Sequence, residues 1–346
     1  MTSVQTQTSN TKPVRSRPWA AIPIILIGLI AIIWGTASSI ATGVADISLR
    51  TVWDSIVTFN PNNDHHVIIQ QLRLPRALAG IFVGSAFAVA GAIMQGMTRN
   101  PIADTGLLGI NAGSGFVLVL VFSFFPTLPF KFLILFSFIG AGLGAGLVYG
   151  IAYMSKGVMT PLKLVLAGAV VSSLISGLSQ ALTVLFQIHY DLTFWSAGGI
   201  STADWFQVSV MMPWIIVGLI AALIISRSIT ILSLGEDVAA GLGQRTKLIK
   251  GAGVIIVMML VGSSVATVGG VGFIGLIVPH IVRFLVGVDY RWIIPCSAVL
   301  GGILVVFADI GAKMIAVPYE TPLGSIIAVI GVPFFLYLAR KERREL

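Results

Sequence analysis

Residues 20–44 read AAIPIILIGLIAIIWGTASSIATGV, an apolar run without a single charge. Coiled into a helix at about 1.5 Å per residue, such a run is long enough to cross a hydrocarbon core about 30 Å thick. It follows a polar, basic start (Lys12, Arg15, Arg17), and no small-residue cleavage site follows a short apolar region, so it reads as an anchor rather than a cleaved signal. Nine further apolar runs follow, at about 77–96, 107–126, 130–153, 164–186, 208–226, 251–268, 272–288, 293–311 and 323–339. Ten spans make an all-α polytopic membrane protein. Its segments are a short polar segment at 1–18, a transmembrane domain at 19–340 and a tail at 341–346. The least certain boundary lies in GGVGFIG, a glycine-rich turn inside one continuous apolar stretch.

Composition agrees. Of 346 residues 56% are hydrophobic and 10% charged, and the mean hydropathy of +0.99 is far above what a water-soluble domain could keep dispersed. Soluble enzyme classes are therefore excluded. The single Cys296 rules out a disulfide framework and every cysteine-cluster metal site, and four histidines make a multi-histidine site a poor candidate. The pI near 9.9 does not point to nucleic acid, because the basic residues are scattered among loops. They serve orientation instead. With an even number of spans both termini share a side, and Arg340, Lys341, Arg343 and Arg344 match the basic start, which predicts cytoplasmic termini. The same side receives Arg99, Lys156, Lys163, Arg227, Arg245, Lys247, Lys250, Arg283 and Arg291, leaving Arg50, Arg73, Arg76, Lys131 and Lys313 outside.

Several spans carry small residues four apart: Gly80, Gly84 and Ala88 in the second, Gly140 and Gly144 with Gly150 in the fourth, Gly168, Ser172 and Ser176 in the fifth. Such faces let helix backbones approach closely where lipid supplies no hydrophobic drive. Ser172, Ser173, Ser176, Ser179 and Gln180 could equally line a polar path. No phosphate-binding glycine loop and no mid-span carboxylate pair for relaying protons is present. Asp309 reads as a cap or a partner of Lys313 one turn on, and His280 with Arg283 reads as a structural polar pair. The loop after the sixth span holds Ser233-Leu-Gly-Glu236, a capping-box pattern, followed by Leu234, Val238 and Leu242 at every fourth position. This predicts a short amphipathic helix at about 233–243. Its acidic Glu236 and Asp237 suit a partner protein's groove better than anionic lipid headgroups.

Arg73-Leu-Pro-Arg76, Gln95-Gly96, Arg99-Asn100-Pro101-Ile102-Ala103-Asp104, Gly106-Leu-Leu-Gly109, Phe194-Trp-Ser-Ala-Gly198, SLGEDVA, GFIGLIVPHIVR (Gly272–Arg283) and GVPFFLYL (Gly331–Leu338) occur in this order. Together they closely resemble the FecCD family, the permease subunits of ABC importers for iron-siderophores, haem and vitamin B12. The resemblance implies a bacterial cytoplasmic-membrane subunit with a type II importer fold built from inverted repeats, of which the glycine-rich segments after Gly106 and Gly269 are faint internal signs. It implies a second permease subunit, an identical copy or a sister, and two cytoplasmic ATPase subunits holding ATP and Mg. An extracytoplasmic solute-binding protein would deliver the ligand. This chain itself would bind no cofactor and catalyse no hydrolysis.

The resemblance also assigns residues. Ser233, Leu234, Gly235, Glu236, Asp237, Val238 and Leu242 fall on the coupling helix that docks in the ATPase cleft. Arg73 and Arg76 match docking arginines for the binding protein, with Lys313 where a third arginine is usual; a lysine keeps the charge but loses the bidentate fork. Charge reversal of Arg73 and Arg76 is expected to weaken docking and leave folding intact. RLPR also reads as snorkelling cations with Pro75 starting a helix. Asn100, Ile102 and Thr160 match positions that constrict the cytoplasmic end of the path, although Asn100-Pro101 is also a turn signal. Ser172, Ser176 and Gln180 would line the path. The leading expectation is a permease for an iron-siderophore-type chelate. Haem or vitamin B12 are alternatives within the family. An ion-coupled secondary transporter lacks the buried ionisable residues it would need, and a membrane enzyme lacks a catalytic constellation.

Overall fold

The computed structural model describes residues 17–43, 47–154, 161–187, 197–317 and 319–342, and every element in it is helical. In chain order these are α1 (Pro18–Ala41), α2 (Leu49–Val57), α3 (Asp64–Thr98), α4 (Ile110–Phe124), α5 (Phe130–Met154) and α6 (Pro161–Leu185). Then come α7 (Trp205–Ser233), α8 (Glu236–Gly241), α9 (Thr246–Val268), α10 (Ile274–Val286), α11 (Tyr290–Ile315) and α12 (Leu323–Glu342). Each expected apolar run falls on one of these helices, but α3 begins 13 residues before its run and α7 ends seven residues after its run. Among the described residues, seven helices are long and apolar enough to cross a membrane, whereas Ile110–Phe124, Ile274–Val286 and Leu323–Leu338 are shorter.

The core is built around α3, which packs antiparallel on α11. Ala and Gly dominate its inner turns, and from Ala86 to Met97 the helix is buried all round. The reason is backbone proximity. A Cβ placed on Gly84 would lie 2.2 Å from the carbonyl oxygen of Gly301, so no larger residue fits where these helices cross. Gly113 of α4 and Gly140 of α5 meet in the same way, at 2.2 Å. The small-residue faces of the second and fourth spans thus pack as expected, except that Gly150 faces open space. Ser137 and Ser114 tie three helices through main-chain carbonyls, Ser114 donating to Ser137 O at 2.9 Å and Ser137 to Gly262 O at 2.7 Å.

α1 runs alongside α11, with Ala21 beside Cys296 and Ser39 beside Lys313. Its start lies at the end of the bundle where α3 finishes, and Leu338 of α12 packs there with Leu276, Ile277 and Ile102. This terminal end carries Arg99, Arg227, Arg245 and Lys250; Arg73, Arg76 and Lys313 lie at the opposite end.

Two segments depart from simple crossing. The run expected to span at 272–288 yields only the 13 residues of α10, about 20 Å of helix, too short to span a membrane. The chain turns at Gly269 (φ 74°) and Phe273 (φ 67°), and α10 begins inside the bundle against the last third of α3, where Gly275 packs on Phe87 and Gly91. The segment between α3 and α4 likewise folds back into the bundle, ending in a 3-10 turn at Gly106–Leu108. Interrupted backbone at this depth is tolerated where it is buried in protein or lines a cavity.

Candidate functional site

The two re-entrant segments meet beside α6. Asp104, 6% exposed, turns its carboxylate toward the start of α10, accepting from the Phe273 N–H at 3.4 Å. Asn111, in the first turn of α4, donates through Nδ2 to the carbonyl of Val271 at 3.3 Å, while its Oδ1 is buried and unpaired. Between these backbones and α6 lies a groove of about 340 Å³, open on one side. Ser172, Ser176, Ser179, Gln180 and Thr183 of α6 form one wall, and Asn111, Gly115, Phe116 and Gly270 form the other. The expected path residues Ser172, Ser176 and Gln180 therefore line one cavity. Ser172 also donates to Gly106 O at 3.1 Å, holding α6 against the re-entrant turn, so this face packs at one end and lines space at the other. Among the described residues, no lining side chain is titratable.

Asp104, Asn111 and Gly270 escaped the sequence reading. The available signal was the pairing of two glycine-rich segments in corresponding places; which side chains meet there depends on how the two segments fold back.

At the opposite end, Asp309 and Glu320 meet two of the three cations expected to dock a partner, Arg76 and Lys313. Arg76 donates to Asp309 Oδ1 from Nε at 2.9 Å and Nη2 at 2.8 Å, and from Nη1 to Glu320 at 2.7 Å. Lys313 Nζ lies 2.8 Å from Asp309 Oδ2 and also donates to Ser39 O and Ser39 Oγ, which in turn donates to Asp309. Arg76 and Lys313 are each 8% exposed and Asp309 2%. Arg73 donates to the carbonyls of Ile40 (2.5 Å) and Ala41 (3.2 Å), closing the end of α1. This corrects the expectation that charge reversal leaves folding intact. At Arg76 it would set a carboxylate against Asp309 in a buried site, and a broken buried pair costs about 3–5 kcal/mol. Asp309 is the shared anion of this cluster rather than a helix cap; its pairing with Lys313 one turn on is present.

At the terminal end, the helix expected over 233–243 is the six-residue α8, and its capping box is absent. Ser233 belongs to the last turn of α7, its hydroxyl donates to Thr230 O at 2.7 Å, and the N-cap is Gly235 at φ 132°. Glu236 pairs with Lys250 of α9, Ala239 is buried, and Gln244 Nε2 donates to Ser228 O at 2.9 Å. So fixed, the helix turns Leu234, Val238 and Leu242 outward, all exposed. Nearby, Asn100 Oδ1 accepts from the Ile102 N–H at 3.0 Å, the turn that Asn100-Pro101 signals, and Ile102 packs on Leu276 and Leu338. Thr160 lies outside the described residues. Arg283 donates to Gln95 (3.0 Å) and Tyr290 (3.1 Å), and His280 sets its ring edge-on to Phe334, in place of the expected pairing of one with the other.

A helical bundle crossed by apolar spans, with re-entrant backbone beside an uncharged polar groove, defines a membrane transport subunit. A profile of the FecCD transport family matches residues 25–341. The iron(3+)-hydroxamate import system permease protein FhuB of Bacillus subtilis is 51% identical over 96% of this chain and 86% of its own length. The iron-uptake system permease protein FeuB of the same organism is 40% identical over 95% and 98%. A solved inward-facing structure of a metal-chelate type ABC transporter superposes with a TM-score of 0.77 at 26% identity, covering 92% of this chain and 99% of that one. The chain belongs to the FecCD transport family.

Proposed function

We propose that this chain is the permease subunit of an ABC importer that passes a ferric siderophore into the cell, with the α6 groove as one wall of the path. The observation that carries the reading is the groove itself, walled by hydroxyls, amides, glycines and the apolar Ala112, Phe116 and Val119, without a titratable group among the described residues. Such a wall offers hydrogen bonds to a polar solute and no charge to hold it, and conduction needs contacts weak enough for release. The chemistry suits a neutral chelate. Iron(3+) bound by three singly charged hydroxamates carries no net charge, and the similarity to an iron(3+)-hydroxamate permease supports that choice.

A single wall cannot enclose such a solute. Leu166, Val170, Leu174 and Leu178 run exposed along α6 beside the serine face, which supports a second permease subunit, identical or sister, closing the path. The basic terminal end faces the cytoplasm. There α8 is the coupling helix, its outward Leu234, Val238 and Leu242 seated in one of two ATPase subunits that hold ATP and Mg, while this chain binds neither. Asn100, Ile102 and Thr160 constrict the cytoplasmic exit. Arg73, with Arg76 and Lys313 behind it, forms the cationic end on which an extracytoplasmic solute-binding protein docks.

The test is uptake of radiolabelled ferric hydroxamate by the complex co-expressed from the native operon and reconstituted in liposomes. Accumulation should require ATP and the binding protein, and it should exceed that of an anionic ferric chelate. Accumulation by this subunit alone would overturn the reading. Leu234→Asp with Val238→Asp should abolish co-purification of the ATPase, and undiminished co-purification would remove α8 from the coupling role.

A further inference from the structure

We infer that α2 is an interfacial helix that lies in the membrane surface at the end opposite both termini, inserting Leu49, Trp53, Ile56 and Val57 among the lipids. Nothing in the transport reading uses this element. It is held firmly on one side. Ser48 caps it by accepting from the Thr51 N–H at 3.1 Å, and Gln70 Nε2 donates to Ser55 O at 2.9 Å. Ile47 and Val52 are buried in a small cluster with Ile40, Ile69 and Ala77. The rest of its surface divides by chemistry. At ~100° per residue, Leu49, Trp53, Ile56 and Val57 fall within an arc of ~100°. That arc is exposed, at 54, 66, 52 and 61% respectively. Arg50 and Asp54 follow on the next arc as an exposed pair at 4.0 Å. The helix therefore shows three sectors in turn: protein, an apolar face and a charged face.

Depth fixes what covers the apolar sector. α1 has 24 residues, about 36 Å of helix, slightly more than a hydrocarbon core. Trp19 stands exposed at one end of α1, and at the other the Ile47 N–H donates back to Ala41 O at 3.2 Å, so α2 starts level with the end of α1. That is headgroup depth, where tryptophan is enriched and amphipathic helices lie flat. α1 itself exposes Ile30, Ile33 and Trp34 to a similar degree along its length. A soluble partner or a second subunit would be an alternative cover, but neither accounts for a tryptophan at each end of one spanning length.

The test is collision accessibility of spin labels on the full-length chain in liposomes of phosphatidylethanolamine and phosphatidylglycerol. Labels go at Leu49→Cys, Ile56→Cys and Arg50→Cys, each in a Cys296→Ala background. Labels at 49 and 56 should meet dissolved oxygen severalfold more often than a water-soluble nickel chelate, and the label at 50 should show the reverse. Nickel-favoured collisions at 49 and 56 would overturn the assignment. Suppression of both reagents there, meaning cover by protein, would overturn it as well.

Discussion

α3 and α6 are both long apolar helices, yet 83% of the most apolar window of α3 is buried and only 17% of that of α6. The difference lies in what each sequence does with its small residues. In α3, Gly84 and Gly91 face the backbones of Gly301 and Gly275, so backbones touch and space is removed. In α6 the small residues that line the groove are serines beside Gln180 and Thr183, and nothing among the described residues fills it. One helix is a scaffold; the other is a wall waiting for a solute and a second subunit.

The largest expected effect lies at the end of the scaffold. Asp309→Ala leaves Arg76 and Lys313 buried without their shared anion, and a loss of about 3–5 kcal/mol should appear as a collapse of thermal stability in detergent. Next, Gly84→Val should cost about 1–3 kcal/mol through forced separation of α3 and α11. Gly115→Val, whose Cβ would meet nothing within 4 Å, should leave the melting temperature unchanged and lower uptake by narrowing the groove. Equal thermal losses from the two would erase the contrast between scaffold and wall. Ser176→Trp belongs with Gly115: assembly intact, uptake slowed.

The smallest effect falls away from both helices, at the N-cap of α11. Burial pushes the Asp289 carboxyl up, but the hydrogen bonds and charge of Arg291 outweigh it and hold it below the usual carboxylate range. A carboxyl depressed in the folded state stabilises fully above its unfolded pKa and loses that contribution as pH falls through the folded value. Asp289→Ala should therefore cost about 1 kcal/mol near neutrality. The difference from wild type should vanish in acid, as read by melts across pH.

Hydropathy made the apolar runs legible, because a core about 30 Å thick demands long uncharged stretches. It could not show that α10 starts inside the bundle, since Val268–Gly275 is apolar throughout and carries no mark of depth. Asp104 looked like a loop residue for the same reason. The serine face was visible as a period of four, while its floor at Asn111 and Gly270 required tertiary contact. Arg76 read as an exposed cation because its partner Asp309 lies 233 positions away in the chain. The apparent capping box failed where α7 ran about two turns further and absorbed Ser233.

The most direct test of the central claim uses one atom of the wall. With Cys296→Ala as background, Ser176→Cys in the reconstituted importer should react with a membrane-impermeant thiol reagent. Ferric hydroxamate delivered with the binding protein and ATP should slow that reaction, and modification should stop uptake. A thiol at 176 that stays unreactive during turnover, or whose modification leaves uptake unchanged, would contradict the assignment of α6 to the path.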